Sequence, residues 1–546
     1  MIRRLLLALL ALTIGAAPVM ARAQAAPVVA AAAAQAEKAA PAAASPGGDD
    51  AAIPPPVAAI EPTAARASED LAAEARKLHP GFVVHADGET KVATIPLSGA
   101  GKSGPASIQG LVSTRQQLPS SNNANTFVNA DYGFQAAVDV SGSVKVIVGS
   151  FRVAGTTAAE TGNAATTTVS CSIQYPAGTK IGDCLFSGST TGTIPVKGIL
   201  VSDSFSLSTT IPAGQKAIFR VYENNASGFQ DEGDATRVSN GTWGDKECVA
   251  SGSPNNLGNS SLALTTVNMG GTSPSCVTNR TVPMIALIGT TTGKSISIEG
   301  DSIGWGYQDT GDPGQRHGIV ARAISTSDAL LNLSSGGGQV QCWRQVATCT
   351  ANYATNRLAI IAMGIFNIRI VQLGTNDLFV GGAGTPCAGV CTAAAVKANL
   401  EWLYTQGTGA RILQTTITHN TTSPVDFWAT AVNQTVNSNT AQLTSLNATI
   451  RSKGLTGQTD YLETTNPIEN DNVAHDGKWL VNGAANYCTA DGIHPTPTCY
   501  GLAAAAIDTA KIVIAANDNG AVYFAANDDW QGGVQLRAVR AMGGGF

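Results

Sequence analysis

The chain has 546 residues, a formal net charge of −5 and 13% charged side chains, against about 25% in an average soluble protein. The near balance of 33 Lys and Arg against 38 Asp and Glu argues against a basic nucleic-acid-binding protein, and the scarcity of charges argues against a coiled coil. A hydrophobic content of 44% argues against global disorder, and the length favours two folded units with appendages.

The N-terminus carries the pattern of an export signal. Arg3 and Arg4 precede an apolar stretch over residues 5–17, which is too short to span a bilayer. Ala21 and Ala23 then supply the small residues that a signal peptidase recognises. We therefore predict a cleavable signal peptide over residues 1–23, no transmembrane segment in the mature protein, and a periplasmic or secreted location.

Two regions of different composition follow the signal peptide. Residues 24–80 are rich in Ala and Pro, which cannot bury enough surface to offset the entropy of ordering, so we predict a disordered tether. Residues 81–288 contain β-branched and aromatic runs, such as 143–148 and 216–222, bounded by Gly, Asn and Ser. This pattern predicts an all-β sandwich or jelly-roll-like domain, with carbohydrate binding as a possible role.

The ten cysteines fit an oxidising compartment. Zinc binding is disfavoured because no CxxC pair occurs and the six histidines are not spaced as ligands beside the cysteines. The sequence does not determine the pairing. The simplest hypothesis joins sequence neighbours, as Cys171–Cys184, Cys248–Cys276, Cys342–Cys349, Cys387–Cys391 and Cys488–Cys499.

Residues 289–516 change to alternating strands and helices. The predicted strands cover residues 295–299, 329–333, 367–373, 410–416 and 459–463. The predicted helices cover residues 314–325, 343–363, 392–406, 427–452 and 501–516. Such an order predicts a parallel sheet covered by helices on both faces, with ligands bound at the carboxyl ends of the strands. Residues 517–546 form a tail to which we assign no role.

A first motif, Gly300-Asp301-Ser302, follows the first of these strands. A serine on a sharp turn between a strand and a helix exposes its hydroxyl, and the N-terminus of the helix favours negative charge. The same tripeptide also forms ordinary turns and helix N-caps. By itself it is therefore only a hypothesis for a nucleophile.

Two further motifs lie at later strand ends. In the sequence GTND over residues 374–377, Asn376 can direct its amide into the cleft or cap its own turn. In the sequence DGIH over residues 491–494, Asp491 can accept a hydrogen bond from Nδ1–H of His494 and leave Nε2 free as a base. The order nucleophile, amide donor and acid–base pair is more specific than any one motif.

In this order the motifs resemble the blocks of the SGNH/GDSL hydrolase superfamily, here as a secreted bacterial-type esterase with an N-terminal β-rich domain. The resemblance covers residues 294–516. The glycine block of that superfamily is matched by residues 332–338, in which we choose Gly337 as the donor and keep Gly336 and Gly338 as alternatives. The family implies a three-layer α/β/α, flavodoxin-like domain with a parallel sheet.

The resemblance also implies roles for single residues. Ser302 would be the nucleophile, His494 the base and Asp491 its orienting carboxylate, without a metal or an organic cofactor. The oxyanion hole would consist of the amides of Ser302 and Gly337 and the side chain of Asn376. Four residues near the motifs are candidates for binding the substrate: Trp305, Tyr307, His317 and His419.

A second serine-hydrolase family matches less well. Residues 300–304 also satisfy the G-x-S-x-G elbow of the α/β-hydrolases. In this chain, however, the serine follows the first strand of its domain, and Asp491 lies only three residues before His494. We therefore rank the α/β-hydrolase interpretation second.

The predicted function is hydrolysis of carboxylic esters through an acyl-enzyme. Relatives with an extra β-domain suggest, by analogy, deacetylation of a carbohydrate or polysaccharide. The alternatives are a lipase or arylesterase of the same superfamily and a non-catalytic glycan-binding or surface protein. No nucleic-acid partner is expected, and the sequence does not determine the oligomeric state.

Overall fold

The computed structural model describes residues 83–87, 90–94, 107–153, 159–231, 243, 245–251, 275–277, 282–310, 316–344, 349, 353–379, 391–471, 473–514, 522–524 and 538–540. The predicted signal peptide over residues 1–23 and the predicted tether over residues 24–80 lie outside these residues.

The first part of the described chain consists of short strands. In chain order they are β1 Val83–Asp87, β2 Thr90–Thr94, β3 Ile108–Leu111, β4 Gln116–Gln117, β5 Ser121–Asn123, β6 Phe127–Gln135, β7 Ser143–Gly149, β8 Phe151–Val153, β9 Glu160–Gly162, β10 Thr167–Gln174, β11 Lys180–Asp183, β12 Gly192–Ile194, β13 Ile199–Val201, β14 Phe205–Ser206, β15 Lys216–Asn224, β16 Phe229–Asp231, β17 Lys246–Ala250, β18 Ser275–Val277 and β19 Ala286–Thr291.

Two antiparallel sheets dominate this part. One contains seven strands in the order β11-β10-β15-β6-β17-β18, with β12 beside β10, and the other contains β13-β7-β19-β3, with β14 beside β7. Alternate residues of β6 and β15, such as Phe134 and Phe219, share one apolar core with Val146 of the second sheet. The two predicted β-rich runs at 143–148 and 216–222 correspond to β7 and β15.

A buried carboxyl group on β15 makes the stability of this core sensitive to pH. Glu223 is 1% exposed. Burial, and then the nearby carboxyl of Glu247, raises the pKa of Glu223 from 4.5 to about 8. Between these two pH values, Glu223 is protonated in the folded chain and ionised in the unfolded chain. The free energy of unfolding therefore falls as the pH rises from about 4.5 to about 8.

We expect Glu223→Gln to remove this pH dependence. The amide stays neutral in both states. The difference in unfolding free energy, variant minus wild type, should therefore increase by roughly 3–5 kcal/mol between pH 5 and pH 8. Urea unfolding at both values measures the gain. Asp203→Asn, at an exposed carboxylate, is the control. Parallel pH profiles of wild type and Glu223→Gln would contradict the prediction.

The second part of the described chain alternates strands and helices. The strands are β20 Ser295–Gly300, β21 Ala329–Asn332, β22 Ile368–Gln372, β23 Arg411–Thr415, β24 Thr421–Thr422, β25 Thr435–Val436, β26 Asp460–Leu462, β27 Val522–Phe524 and β28 Ala538–Arg540. The α-helices are α1 Ser302–Trp305, α2 Ile319–Ala323, α3 Val340–Trp343, α4 Thr355–Ala362, α5 Thr375–Phe379, α6 Ala393–Tyr404, α7 Thr440–Arg451 and α8 Pro497–Ala505. Two 3-10 turns cover Asn466–Ile468 and Thr509–Lys511.

A six-stranded parallel sheet with the order β26-β23-β22-β20-β21-β4 organises this part. The five predicted strands are confirmed, with bounds one residue shorter at most ends, while β20 continues one residue further to Gly300. β20 is buried along its whole length. It lies between β21 and β22, so its carboxyl end is in the middle of the sheet. This position fits the rule that ligands bind at carboxyl strand ends.

The predicted helices were partly wrong in extent. The helix predicted over residues 427–452 begins only at Thr440, because Phe427 and Trp428 adopt positive φ values of 52° and 61°, which a helix does not allow. The helix predicted over residues 343–363 is wrong in its first part, since α3 ends at Trp343 and α4 begins only at Thr355. The last helix, α8, starts at Pro497 rather than at residue 501, since proline is favoured in the first helical turn.

The β-rich part packs against the α/β part through a shared core. Leu111 and Phe151 belong to the same apolar cluster as Leu331 and Trp343 of the parallel-sheet part. β4 extends the parallel sheet by pairing with β21. The segment at the C-terminus also pairs with the β-rich part, because β27 joins β2 in a four-stranded sheet with β1 and β28.

Candidate active site

The turn after β20 presents Ser302 at the first position of α1. Asp301 caps this helix, since its Oδ1 accepts a hydrogen bond from the amide of Ile303 at 2.9 Å. Burial raises the pKa of Asp301 to about 6, although hydrogen bonds and the charge of His494 act in the opposite direction. Little space is left at Gly300, where a Cβ would lie 2.5 Å from Ser334 Oγ and 3.2 Å from the Cα of Gly304.

The DGIH segment brings the base to this serine. His494 Nε2 lies 2.7 Å from Ser302 Oγ, and His494 Nδ1 lies 2.7 Å from Asp491 Oδ2. The other oxygen of Asp491 accepts the amides of Ile493 at 2.9 Å and His494 at 2.8 Å. Partial burial raises the pKa of Asp491, but the hydrogen bonds and charge of His494 outweigh it and bring the pKa down to about 2. The Asp491 carboxylate is therefore ionised at neutral pH.

Tertiary contacts fix the loop that carries this pair. Gly492 has a φ of 81°, and a Cβ there would lie 1.8 Å from the carbonyl oxygen of Thr421. The carbonyl of Gly492 accepts hydrogen bonds from the amide of Thr421 and from Trp479 Nε1, both at 3.0 Å. The disulfide Cys488–Cys499 closes the loop at its base. The segment therefore has little freedom to move His494 away from Ser302.

The predicted oxyanion donors lie on two neighbouring loops. Asn376, in the first turn of α5, donates from Nδ2 to the carbonyl of Gly338 at 3.0 Å. The amide of Gly338 donates to the carbonyl of Ser335 at 3.1 Å, so this glycine is occupied as a donor. Gly337 is exposed and has a φ of 74°, which completes the tight turn. The second proton on Asn376 Nδ2 is left for another acceptor.

Buried charged groups hold the glycine loop in place. Asp377 accepts hydrogen bonds from the amides of Val340 at 2.9 Å and Gln341 at 3.2 Å, at the start of α3. Burial raises the pKa of Asp377 to about 7, against these two hydrogen bonds. Arg357 donates to Ser335 Oγ at 2.9 Å, and Glu160 of the β-rich part forms an ion pair with Arg357 at 3.1 Å.

The four candidate substrate-binding residues separate into two groups. Tyr307 is 41% exposed, and its ring lies 4.7 Å from that of His494, centroid to centroid. Trp305 stacks on Tyr307 at 6.5 Å. His317 and His419 are instead buried, with 6% and 1% of their surfaces exposed, and their role as substrate contacts stays a prediction.

Sequence reasoning missed some residues around the site. Gln308 Nε2 donates a hydrogen bond to Asp491 Oδ2 at 3.0 Å. Trp479 donates a hydrogen bond to the DGIH loop, and Arg357 donates one to the glycine loop. None of the three belongs to a motif, and the only sequence signal for Gln308 is its place six residues after the nucleophile.

Three of the five predicted disulfides are present: Cys171–Cys184, Cys342–Cys349 and Cys488–Cys499. The other two predicted pairs, Cys248–Cys276 and Cys387–Cys391, each include a side chain outside the described residues. Within the described parts of the chain, no group of three or more His, Cys, Asp or Glu side chains is arranged to hold a metal ion. No helix in those parts is long and apolar enough to cross a membrane.

Comparisons with known proteins identify similar structures but no similar sequence. No protein-family model and no characterised protein sequence matches the chain. A carbohydrate acetylesterase from Sinorhizobium meliloti matches at 14% identity over 40% of this chain and 99% of its own, with a TM-score of 0.28. An aryl esterase from M. smegmatis matches at 16% identity over 39% of this chain and 94% of its own, with a TM-score of 0.26.

A longer alignment exists with a family two carbohydrate esterase from Cellvibrio japonicus. It has 11% identity over 74% of this chain and 98% of that one, with a TM-score of 0.27. Since all these TM-scores are below 0.5, a functional assignment has to rest on the geometry of the site.

Proposed function

We propose that this protein is a serine esterase of the SGNH/GDSL hydrolase superfamily that hydrolyses carboxylic esters. One observation carries this proposal: Ser302, His494 and Asp491 form a continuous chain with distances of 2.7 Å at both links. Three residue types in this geometry are what nucleophilic acyl transfer requires. The glycine loop is joined to the nucleophile turn, because the amide of Ser335 donates to the carbonyl of Gly300 at 3.1 Å, and Asn376 is joined to this loop by its hydrogen bond to Gly338.

In the proposed reaction, Ser302 Oγ attacks the acyl carbonyl while His494 Nε2 takes the hydroxyl proton. Asp491 holds Nδ1–H and stabilises the imidazolium. His494 then returns the proton to the departing alcohol, which leaves an acyl-serine. Water attacks this ester with His494 again as the base, and the acid is released with regeneration of Ser302.

The negative charge that develops on the carbonyl oxygen needs fixed donors. The amide of Ser302 begins α1, where the helix terminus favours an anion. The amide of Gly337 and the second proton on Asn376 Nδ2 would complete the oxyanion hole. Because the carbonyl of Gly338 already holds Asn376, this side chain is oriented before the substrate binds.

We expect Asn376→Ala to lower kcat by about 10²–10³-fold with a small change in KM, as for the loss of one oxyanion donor. The variant should fold, because alanine is favoured in a helix. Steady-state hydrolysis of p-nitrophenyl acetate measures the effect. Asn399→Ala, at a partly exposed position within α6, serves as the control. A kcat within threefold of the wild type would remove Asn376 from the mechanism.

The substrate that we propose is an acetylated carbohydrate or polysaccharide. The β-rich part shares a core with the α/β part and would be available to hold a polymer near the site. Tyr307 presents an exposed ring beside His494, a suitable platform for a sugar face. Acetate release from acetylated xylan, acetylated mannan and O-acetylated peptidoglycan, compared with p-nitrophenyl acetate, tests this substrate class. Failure with every glycan would overturn it.

An exposed apolar loop favours one alternative, a lipase or arylesterase. Val425, Phe427 and Val432 expose 75%, 57% and 84% of their surfaces. The carbonyl of Phe427 accepts a hydrogen bond from Asn486, so this loop touches the segment that leads to Asp491. Faster cleavage of p-nitrophenyl octanoate than of the acetate, lost in Phe427→Ser, would support the alternative and exclude a strict acetylesterase.

A non-catalytic binding protein would differ at the serine itself. A fluorophosphonate probe should label folded protein at Ser302, whereas Ser302→Ala should stay unlabelled. No labelling of folded wild type would favour the binding protein.

We also propose that the enzyme is secreted, since three disulfides are typical of an oxidising compartment. Comparison of the mass of the exported protein with that expected after cleavage at residue 23 tests this location.

A further inference from the structure

The segment that follows α1 touches the Asp–His pair at two points. Gln308 Nε2 donates to Asp491 Oδ2 at 3.0 Å, the oxygen that also lies 2.7 Å from His494 Nδ1. The ring of the preceding residue, Tyr307, lies 4.7 Å from the imidazole. Two consecutive side chains therefore contact both members of the pair.

The backbone of this segment is held in a conformation that side chains disfavour. Gln308 has a φ of 63°. Its neighbours are anchored on both sides: the carbonyl of Tyr307 accepts a hydrogen bond from Tyr500 Oη at 2.9 Å, and the buried carboxylate of Asp309 accepts one from Arg322 Nε at 2.9 Å. A left-handed conformation imposed from both sides at a candidate site suggests a functional constraint.

The hydrogen bonds to Asp491 divide between its two oxygens. The backbone amides of Ile493 and His494 fix Oδ1. Oδ2 faces the imidazole and is shared by Gln308 and His494. Since one-third of the Asp491 side chain is exposed, water would replace Gln308 if its amide were absent. A protein donor at this position orients the carboxylate more firmly than solvent does.

The charged groups that act on the imidazole come from two elements. Asp491 belongs to its own loop, and the buried Asp301 lies on the nucleophile turn. The phenol ring of Tyr307 lies next to the imidazole of His494. Gln308 is neutral, so it changes the direction and strength of the Asp491 contact without changing the net charge of the site.

We propose that Gln308 is a positioning residue of the triad, whose amide holds Asp491 Oδ2 in line with His494 Nδ1. This inference rests on the proposed esterase function. Among the hydrogen bonds of the described residues, the Gln308 side chain has none to the serine or to the oxyanion donors, so it would act through Asp491.

Two variants test this role. Gln308→Met keeps the length of the side chain and loses the donor, and Gln308→Gly also relieves the left-handed backbone. Both should lower kcat about tenfold with KM within twofold, the usual effect of losing a hydrogen bond to a charged group. The low-pH limb of kcat/KM should move to higher pH, because Asp491 without this donor holds the protonated imidazole more strongly.

Stability provides a control within the same experiment. Gln308→Gly should melt no lower than the wild type, so a fall in its activity cannot come from unfolding. Lys453→Gly relieves a similar left-handed residue, with a φ of 56°, at an exposed site after α7 and should leave kcat unchanged. The NMR signal of the proton between His494 Nδ1 and Asp491 should shift in Gln308→Met, a readout that needs no turnover.

Two outcomes would overturn the inference while leaving the esterase intact. The first is an active wild type whose kcat, pH profile and NMR signal are reproduced by both Gln308 variants. The second is a rise in KM at unchanged kcat, which would make Gln308 a substrate contact. A wild type that neither hydrolyses esters nor reacts with the fluorophosphonate probe would overturn the proposed function, and the role of Gln308 with it.

Discussion

Ser302→Ala should abolish ester hydrolysis, with kcat reduced by roughly 10⁴- to 10⁶-fold. The hydroxyl is the atom that forms the acyl-enzyme, and no other group stands 2.7 Å from His494 Nε2 among the contacts of the described residues. Binding should survive, because the oxyanion donors and the aromatic ring of Tyr307 are untouched. Initial rates with p-nitrophenyl acetate at high enzyme concentration measure the residual activity.

The control for this substitution is Ser327→Ala, at an exposed serine in the turn before β21. It should keep full activity. If Ser302→Ala retained more than about one-tenth of the wild-type rate, the nucleophile would have to be another residue, and the esterase proposal would lose its central observation. The melting temperatures of the two variants should match that of the wild type, since both serines are replaced by a smaller residue.

Asp491→Asn should lower kcat by about 10⁴-fold. The asparagine oxygen would stay with the backbone amides of Ile493 and His494, which need an acceptor. The NH₂ group would then point at His494 Nδ1 and force that nitrogen to accept. The ring proton would move to Nε2, where it prevents removal of the hydroxyl proton of Ser302. The substitution therefore keeps the position of the His494 ring but leaves the ring in the tautomer that cannot act as a base.

A second aspartate on a similar turn provides a matched control. Asp471 Oδ1 accepts the amides of Val473 at 3.0 Å and Ala474 at 2.9 Å, the same pattern as at Asp491, but without an imidazole on its other oxygen. Asp471→Asn should therefore leave kcat unchanged. Steady-state kinetics from pH 5 to pH 9 should show the loss in Asp491→Asn at every pH. Equal effects of both substitutions would indicate a structural role only.

Single elements show which features of the fold depend on neighbouring residues and which depend on residues that are distant in the sequence. The parallel strands were predictable because each is a short segment with β-branched residues between turn residues, as in β20 and β22. The helix predicted over residues 427–452 was too long, because composition does not reveal that Asp426 closes a turn by accepting hydrogen bonds from Ser423, Thr430 and Asn433. β4 could not be predicted, since two residues carry no periodicity.

The candidate site shows the same division. The order of the motifs identified Ser302, Asn376, Asp491 and His494 as candidates, because each residue type has a chemical role that its local turn suits. Only packing could reveal that His317 and His419 are buried whereas Tyr307 is exposed. Only the structure shows that the amide of Gly338 already donates to the carbonyl of Ser335, which argues against Gly338 as an oxyanion donor.

The sequence by itself determined which reactive residue types stand at the turns: a serine after a strand, an amide at a strand end, and a carboxylate three residues before a histidine. Only the tertiary structure decided that Ser302 and His494, 192 positions apart, meet at 2.7 Å, and that Gln308 donates a hydrogen bond to Asp491. The physical reason is that a turn is specified by neighbouring residues. The distance between two turns depends instead on strand order and on packing between parts of the chain that are remote in sequence.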